Sequence, residues 1–234
     1  MTGSGWKSSE MTRRREATGV PTAGWLYRAC AVVVLGLARA WFRLRVVGIE
    51  NVPRAGPVIL ASNHVSFADP PLVGCALPRG IHFLARKSLF DIPLLGWIIR
   101  KLNAVPVDRD GGGGAGLKAI LDRLSAGEGI LLFPEGTRSP DGKVKPARAG
   151  IGLTVIKSSA PVVPVRVVGA FEAWGRHHAW PRPRRVVVIY GSPMDFAALR
   201  QEAGGCGKER LKAIYQEVAD TLMAAIEELG KPVA

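Results

Sequence analysis

The stretch "GPVILASNHVSFADPP", Gly56 to Pro71, contains a candidate strand that runs into a polar loop. A short, continuous apolar run after Gly-Pro is typical of a buried strand in an α/β sheet. The loop that follows carries His64 and Asp69 and ends in two prolines. Because ligand sites of such sheets lie at the carboxyl ends of strands, this loop stands where chemistry is expected.

Strand-like and helical segments alternate along the rest of the chain. Strands are predicted in RLRVVGIENVP, IHFLARK, NAVPVDRD, ILLF, PVVPVRVVG and RRVVVIYGSP. Helices are predicted from Pro70, after Pro93, from Leu117, in RAGIGLTVIKSS and along the apolar stripe from Leu211 to Leu229. This alternation predicts an α/β fold with helices on both faces of a sheet.

The composition favours anionic partners. The 234 residues are 47% hydrophobic and carry 32 Lys+Arg against 19 Asp+Glu, a net charge of +13. Such a charge suits nucleic acid, or an anionic membrane surface and phosphate-bearing ligands. The three cysteines form no CxxC pair and no metal-ligand spacing, so neither a disulfide framework nor a metal site is predicted.

The segment "WLYRACAVVVLGLARAWFRLR", from Trp25, resembles a membrane-associated helix more than a span. Its uncharged run, Ala29 to Ala38, is shorter than the roughly 20 apolar residues that cross a bilayer. Aromatic residues and arginines flank both ends of the run, as in helices that lie in the membrane interface. The alternative is the first core helix of a soluble domain.

His64 and Asp69 support two interpretations. Asp followed by Pro is a common helix start, in which Asp69 caps a helix that begins at Pro70. Alternatively, Asp69 accepts a hydrogen bond from Nδ1 of His64, and the imidazole presents a basic Nε2 to a substrate hydroxyl. The roles are compatible because a carboxylate has two oxygens. Ser66 is not predicted to be a nucleophile, because no G-x-S-x-G turn surrounds it.

A second polar loop, FPEGTRS, follows another apolar run. Gly136 allows backbone N–H groups to approach an anion, Thr137 supplies a hydroxyl, and Arg138 supplies a bidentate donor for phosphate. Glu135 is predicted to orient Arg138 or to accept from a substrate hydroxyl. The alternative is an ordinary polar turn with an exposed ion pair.

Other basic residues stand near predicted strand ends. Arg86, Lys87 and Arg109 together suit a phosphate-bearing substrate, although each alone is a common solvated charge. The segment "AWGRHHAWPRPRR", residues 173–185, mixes two tryptophans with four arginines and two histidines. It is predicted to be a surface loop that touches lipid headgroups or substrate. A nucleic-acid patch is the competing interpretation, but no recognised binding module is present.

Four segments occur in the order of one family. The segment "NHVSFADP" resembles the N-H-x-x-x-x-D block of the PlsC-type acyltransferases, the glycerolipid enzymes that include 1-acylglycerol-3-phosphate acyltransferase. The similarity continues in "FLARKSLFDIPLLGWIIRKLNAVPVDR", in "FPEGTRS" and in the V-P-V strand "PVVPVRVVG". It covers roughly residues 44–195. Two departures are the single arginine of "PARAG" and the flexible "GGGG" after Arg109.

The resemblance implies an α/β fold with a single mixed sheet flanked by helices, preceded by an N-terminal interfacial membrane helix. We expect a mobile basic tail over residues 1–24, the interfacial helix over 25–43 and the acyltransferase domain over 44–234. The protein would sit on the cytoplasmic face of the cell membrane, as a peripheral or monotopic protein. Its partners would be the lipid surface, the acyl donor and the lysophospholipid acceptor, and not nucleic acid.

The resemblance also implies a reaction. His64, oriented by Asp69, would deprotonate the free hydroxyl of 1-acylglycerol-3-phosphate, and the alkoxide would attack an acyl thioester to give phosphatidic acid. The thioester is acyl-CoA or acyl carrier protein, and no other cofactor is expected. Substrate binding falls to Glu135, Gly136, Thr137, Arg138, Arg109, Arg86 and Lys87. Alternatives are another acceptor, such as glycerol-3-phosphate, another lysophospholipid or a glycolipid, or a lipid hydrolase.

Overall fold

A computed structural model describes residues 24–107 and 114–231, which form one seven-stranded sheet. The strand order is β1-β7-β6-β2-β5-β3-β4, and every pair is parallel except β6 with β7. The predicted single mixed sheet is therefore confirmed. The strands are β1 (Arg45–Val47), β2 (Val58–Ser62), β3 (Ile81–Arg86), β4 (Ala104–Val107), β5 (Gly129–Leu132), β6 (Val162–Val168) and β7 (Val187–Tyr190).

Helices cover both faces of the sheet. They are α1 (Trp25–Phe42), α2 (Asp69–Gly74), α3 (Pro93–Lys101), α4 (Gly114–Ser125), α5 (Gly150–Lys157), α6 (Ala170–Trp174), α7 (Ala197–Ala203) and α8 (Lys208–Glu228). Short 3₁₀ turns span Ile49–Asn51 and Lys87–Asp91. The short helices α6 and α7 have no counterpart among the predicted elements, since neither carries an apolar stripe long enough to show helical spacing.

The alternation of side chains along β2 divides the core into two layers. Val58 and Leu60 belong to a cluster that includes residues of α1, α2 and α6; we call this side of the sheet the α1 face. Ile59 and Ala61 belong to a second cluster, formed with α4, α5 and α8 on the opposite, α8 face. All five residues of β2 are buried, because helices cover this central strand on both sides.

The helix α1 presents one side to the domain and the other to solvent. Tyr27 and Ala38 are buried near its two ends, and the Tyr27 hydroxyl accepts a hydrogen bond from the Ile81 N–H at 3.4 Å. Large apolar side chains of α1 are exposed at Trp25, Val32, Val33, Leu37 and Trp41. By length and composition, α1 is the one helix in the described part of the chain that is apolar enough to cross a membrane.

Two predictions fall on residues outside the described ranges. The basic tail predicted for residues 1–24 lies there except for Gly24, and so does Arg109. The C-terminal stripe, in contrast, is observed directly in α8. Its residues Ile214, Val218, Leu222 and Ile226 are buried at helical spacing against the α8 face.

Candidate active site

Two polar loops meet at the carboxyl edge of the sheet. They follow β2 and β5, which are neighbouring parallel strands with Ala61 opposite Leu132. The His64 N–H donates to Oε1 of Glu135 at 3.0 Å, and the His64 carbonyl accepts from the Ser139 N–H at 2.7 Å. The two polar loops are thus hydrogen-bonded to each other through the backbone of His64.

The imidazole of His64 is held from two directions. Its Nδ1 lies 2.8 Å from Oδ2 of Asp69, and its ring stacks on Phe133 with the ring centroids 3.9 Å apart. The His64 side chain is 16% exposed. An ionised Asp69 keeps the proton on Nδ1, so that Nε2 carries the lone pair available to a ligand.

Asp69 organises the loop that precedes it rather than the helix that follows. Besides the imidazole, its Oδ2 accepts from the backbone N–H groups of Val65 and Ser66, both at 2.7 Å. The side chain makes no capping bond to α2, and helical structure begins at Asp69 itself, so the predicted cap at this residue is wrong. The carboxylate is fully buried, and its Oδ1 has no hydrogen-bond partner within the described residues. All three hydrogen bonds of the carboxylate come from residues that precede Asp69, because the loop wraps around it.

Asn63 and Ser66 fix the same loop to the α1 face. The Asn63 side chain donates to the Val167 carbonyl at 3.0 Å and accepts from the Val167 N–H at 2.7 Å. The Ser66 hydroxyl donates to the Trp174 carbonyl at 2.8 Å and accepts from the Ala68 N–H. Both side chains are fully buried. Ser66 is therefore a structural residue of the loop, as its sequence context predicts.

Glu135 is a buried carboxyl group at the junction of the two loops. Burial is the main cause that raises its pKa to about 7, and the nearby Asp69 raises it further. The hydrogen bond from the His64 N–H lowers the pKa, but by less than burial raises it. Its Oε2 is buried and has no hydrogen-bond partner among the residues described. This geometry supports a role for Glu135 in holding the backbone of His64.

Gly136 is required by the shape of its turn. Its φ of 70° is disfavoured for other residues, and an added Cβ would lie 2.9 Å from Nε of Arg148. The Gly136 N–H donates to the Phe133 carbonyl at 2.9 Å. The N–H of Gly136 is therefore used within the turn, and the guanidinium of Arg148 is the cationic group packed against it.

Arg138 stacks on a residue of the other loop. Its guanidinium carbon lies 3.5 Å from the centroid of the Phe67 ring. Phe67 also contacts Trp174, with ring centroids 5.7 Å apart. Arg138 and the neighbouring Thr137 are both half-buried at the entrance of the site. A planar cation held against an aromatic face is pre-oriented for an anionic ligand.

The remaining basic candidates are more peripheral. Arg86 ends β3 and Lys87 begins the following 3₁₀ turn, and both are exposed. They share the carboxyl edge of the sheet with the two loops because β3 pairs with β5. Within the described residues, neither side chain forms a hydrogen bond or an ion pair with the His64 loop. Arg109 lies outside the described residues.

The segment after α6 forms the wall of an open cleft beside Phe67. The cleft has a volume of about 440 Å³ and is lined by Phe67, Trp174, Arg176, His177, His178 and Ala179. Ser66 and Gly175 form an isolated antiparallel bridge, so this wall is attached to the His64 loop. Five of these lining residues belong to the segment 173–185, for which the sequence predicts a surface loop that touches lipid headgroups or substrate.

Three residues contribute to the site although the sequence motifs predict no role for their side chains. They are Asn63, which anchors the loop, Phe67, which carries Arg138, and Phe133, which stacks on His64. Asn63 directly precedes His64, and Phe133 directly follows the end of β5. Their positions in the sequence could therefore have identified both residues as contributors to the site. The partnership of Phe67 with Arg138 has no local signal, because the two residues come from different loops.

A comparison with known protein families identifies the family of this chain. The chain belongs to the Acyltransferase family, whose model matches residues 43–168, just over half of the chain. The match spans both polar loops and ends with β6, so it includes the His64–Asp69 pair and the segment from Glu135 to Arg138.

Two similar proteins are both named as 1-acyl-sn-glycerol-3-phosphate acyltransferases. A 1-acyl-sn-glycerol-3-phosphate acyltransferase of Bacillus subtilis (strain 168) is 28% identical over 195 residues, 82% of this chain and 92% of that protein. A chloroplastic 1-acyl-sn-glycerol-3-phosphate acyltransferase of Brassica napus is 32% identical over 132 residues, 55% of this chain. That match spans only 38% of the Brassica napus protein.

A solved structure shares the fold. The crystal structure of the 1-acyl-sn-glycerophosphate (LPA) acyltransferase PlsC from Thermotoga maritima gives a TM-score of 0.68 at 28% sequence identity. The match covers 88% of this chain and 81% of the Thermotoga maritima chain. The mixed sheet flanked by helices is therefore the architecture of that relative as well.

Proposed function

We propose that this protein transfers a fatty acyl group from an acyl thioester to the free hydroxyl of 1-acylglycerol-3-phosphate, producing phosphatidic acid for phospholipid synthesis. The observation that carries the proposal is the 2.8 Å contact between His64 Nδ1 and Asp69 Oδ2 at the junction of two polar loops. Family membership and the names of the relatives agree with acyl transfer to this acceptor.

In the proposed reaction, His64 Nε2 takes the proton of the acceptor hydroxyl. The resulting oxygen nucleophile attacks the thioester carbonyl, a C–O bond forms, and the C–S bond breaks. The proton on His64 then passes to the departing thiolate. Asp69 stabilises the imidazolium that forms in between. No covalent acyl-enzyme is required, which agrees with a Ser66 hydroxyl that is buried and hydrogen-bonded to the backbone.

The acceptor phosphate is proposed to bind at Arg138, with Thr137 beside it. The guanidinium already lies flat on Phe67, so less side-chain freedom is lost when it pairs with a phosphate. Arg86, Lys87 and Arg109 remain proposed further contacts of the anionic substrate. Gly136 is proposed to contribute through its turn, and Glu135 through the backbone of His64, to the position of these groups.

Membrane association is proposed to occur through α1, as a peripheral or monotopic protein on the cytoplasmic face. Both ends of α1 pack on the domain while its outer side exposes tryptophans and aliphatic residues. A helix docked along its length in this way is suited to lie in the interface plane. The acyl donor is proposed to be acyl-CoA or acyl carrier protein, with no other cofactor.

The experiment is a product analysis with purified protein, 1-acylglycerol-3-phosphate and a labelled acyl-CoA or acyl carrier protein. We expect a diacyl product, and a decrease in kcat of about 10²-fold or more for His64→Ala. His82→Ala, in the amino-terminal half of β3, is the matched control and should retain kcat. Free fatty acid as the main product would instead identify a hydrolase. Transfer only to other acceptors, such as glycerol-3-phosphate, another lysophospholipid or a glycolipid, would replace the proposed acceptor.

A further inference from the structure

The helix α3 leaves an apolar surface uncovered. It exposes large side chains at Leu94, Leu95, Trp97 and Ile98, and Ile92 precedes them in the same surface. Leu94 is 72% exposed and Trp97 is 51% exposed. A contiguous apolar surface of this kind, on so short a helix, marks a site of interaction with a protein or a membrane. We call these five residues the α3 patch.

The α3 patch stands on a rigid support. On the inner side of the helix, Ile99 packs with Ala85 and Phe90. An added Cβ on Gly96 would lie 2.3 Å from the carbonyl oxygen of Phe90, so the helix sits directly on the preceding 3₁₀ turn. The exposure of the outer side chains is therefore set by packing on the inner side.

The α3 patch and the exposed side of α1 lie over the same face of the sheet. Phe83 packs both against the α1-face cluster and against the cluster of Phe90 and Ile99 below α3. Ala85, two residues further along β3, belongs to the second of these clusters and shares the face of Phe83. The two helices thus cover neighbouring parts of one side of the domain.

The charges around the α3 patch match an anionic surface. Residues 86–101 contain four basic side chains, at Arg86, Lys87, Arg100 and Lys101, and one acidic side chain, at Asp91. Arg100 donates to the Phe90 carbonyl at 3.2 Å and lies over the Phe90 ring. Arg86, Lys87 and Lys101 are exposed. Apolar side chains surrounded by cations are the composition of helices that bind anionic lipid interfaces.

We propose that the α3 patch is a second membrane-docking surface, which inserts into an anionic lipid interface on the same side of the domain as α1. Leu94 and Trp97 enter the region between headgroups and acyl chains, and the surrounding cations contact lipid phosphates. The domain then rests on the membrane at two separated helices. This orientation rests on the membrane association proposed above, but not on the identity of the acceptor or on catalysis.

The test measures binding of the full chain to vesicles without substrate. Phosphatidylcholine vesicles that contain 30% phosphatidylglycerol, an amount of about one anionic lipid in three, provide the anionic interface. We expect Leu94→Ser/Trp97→Ser to lower the partition coefficient about tenfold or more, because two apolar side chains no longer leave water. Binding of the native chain should weaken on vesicles of phosphatidylcholine alone.

The control is Val47→Ser, which removes a half-exposed apolar side chain from the edge strand β1 and should leave vesicle binding unchanged. A second measurement tests whether Trp97 itself enters the lipid. Lipids brominated on their acyl chains should quench tryptophan fluorescence less in Trp97→Phe than in the native chain, since only Trp97 differs. Melting temperatures of all variants identify any general loss of folding.

Three outcomes would overturn the proposal. One is unchanged binding and unchanged quenching when the α3 patch is altered, while Val33→Ser/Leu37→Ser in α1 abolishes binding. Another is lipid-free self-association that depends on Leu94 and Trp97, which would make a second copy the occupant. A third is an equal loss for Val47→Ser. Failure of acyl transfer to lysophosphatidate would refute the proposed function and leave the vesicle result intact.

Discussion

The guanidinium of Arg138 lies on the ring of Phe67, 3.5 Å from the ring centroid, and the two residues come from different strand-end loops. The same loop that carries His64 thus supports the cation proposed to hold the acceptor. A displacement of this loop would therefore move both His64 and the aromatic ring that supports Arg138. This aromatic contact joins the two loops in addition to the two hydrogen bonds made by the His64 backbone.

Replacement of Phe67 should weaken acceptor binding more than chemistry. For Phe67→Ala we expect KM for lysophosphatidate to rise about tenfold, because Arg138 loses the face that orients it, a contact typically worth about 0.5–2 kcal/mol. Phe67→Tyr should restore KM. Steady-state kinetics with the acceptor varied provides the measurement, and an unchanged KM in Phe67→Ala would contradict this role.

Asp69→Asn should damage catalysis while leaving the shape of the side chain intact. An amide favours the wrong tautomer of His64, and we expect kcat to fall about 10⁴-fold, as for the corresponding change in a Ser-His-Asp triad. The N–H groups of Val65 and Ser66 also lose a charged acceptor, which should lower the free energy of unfolding by about 1–3 kcal/mol. Kinetics and urea unfolding measure the two effects separately.

Glu135 should make stability depend on pH. Burial raises its folded-state pKa to about 7, above the usual value of 4.5, so the folded protein binds the proton more tightly than the unfolded chain. Its contribution is most favourable below pH 4.5 and is lost as the pH rises through about 7. The loss amounts to about 1.4 kcal/mol for each unit between the two pKa values.

Glu135→Gln removes this titration and keeps an oxygen for the His64 N–H. Relative to the native chain, the variant should therefore gain stability between about pH 5 and pH 8. Urea unfolding at several pH values measures the difference. A native chain that instead becomes more stable than Glu135→Gln across this interval would show that the carboxylate is favoured in the folded state.

Asn63→Ala should destabilise the fold more than a typical amide truncation. The change leaves both the N–H and the carbonyl of Val167 buried without their partner, at a cost of about 2–4 kcal/mol. The matched comparison is Asn51→Ala, which removes one partly buried bond to the Tyr190 carbonyl and should cost about 1 kcal/mol. Equal losses in thermal or urea unfolding would contradict the role of Asn63 as the anchor.

The sequence predicted the parts of the fold in which burial leaves a local pattern. The continuous apolar run of β2 and the stripe of α8 are observed, because burial on two faces or on one face sets their spacing. The helix α6 was missed because its five residues are too few to show a period. The predicted and observed elements therefore differ mainly at short helices.

The candidate site was predictable where its residues are close in sequence. His64 and Asp69 are five positions apart, and the structure joins their side chains. The orientation of Asp69 toward Val65 and Ser66, in place of α2, depends on the path of the loop, and the dipeptide Asp-Pro is equally compatible with a cap. The contact of Arg138 with Phe67 depends on the pairing of β2 with β5, which no local pattern specifies.

The bonds that fix the His64 loop reach far along the chain. Its partners Glu135, Val167 and Trp174 lie 71 to 108 positions from the residues they hold. Contacts of such high sequence separation are costly to close and form slowly during folding. A nascent chain that ends before β6 contains the whole histidine–aspartate motif, yet it lacks Val167 and Trp174, which anchor Asn63 and Ser66 of the same loop. The His64 loop should therefore reach its final position only late in synthesis, after residues beyond Trp174 have left the ribosome.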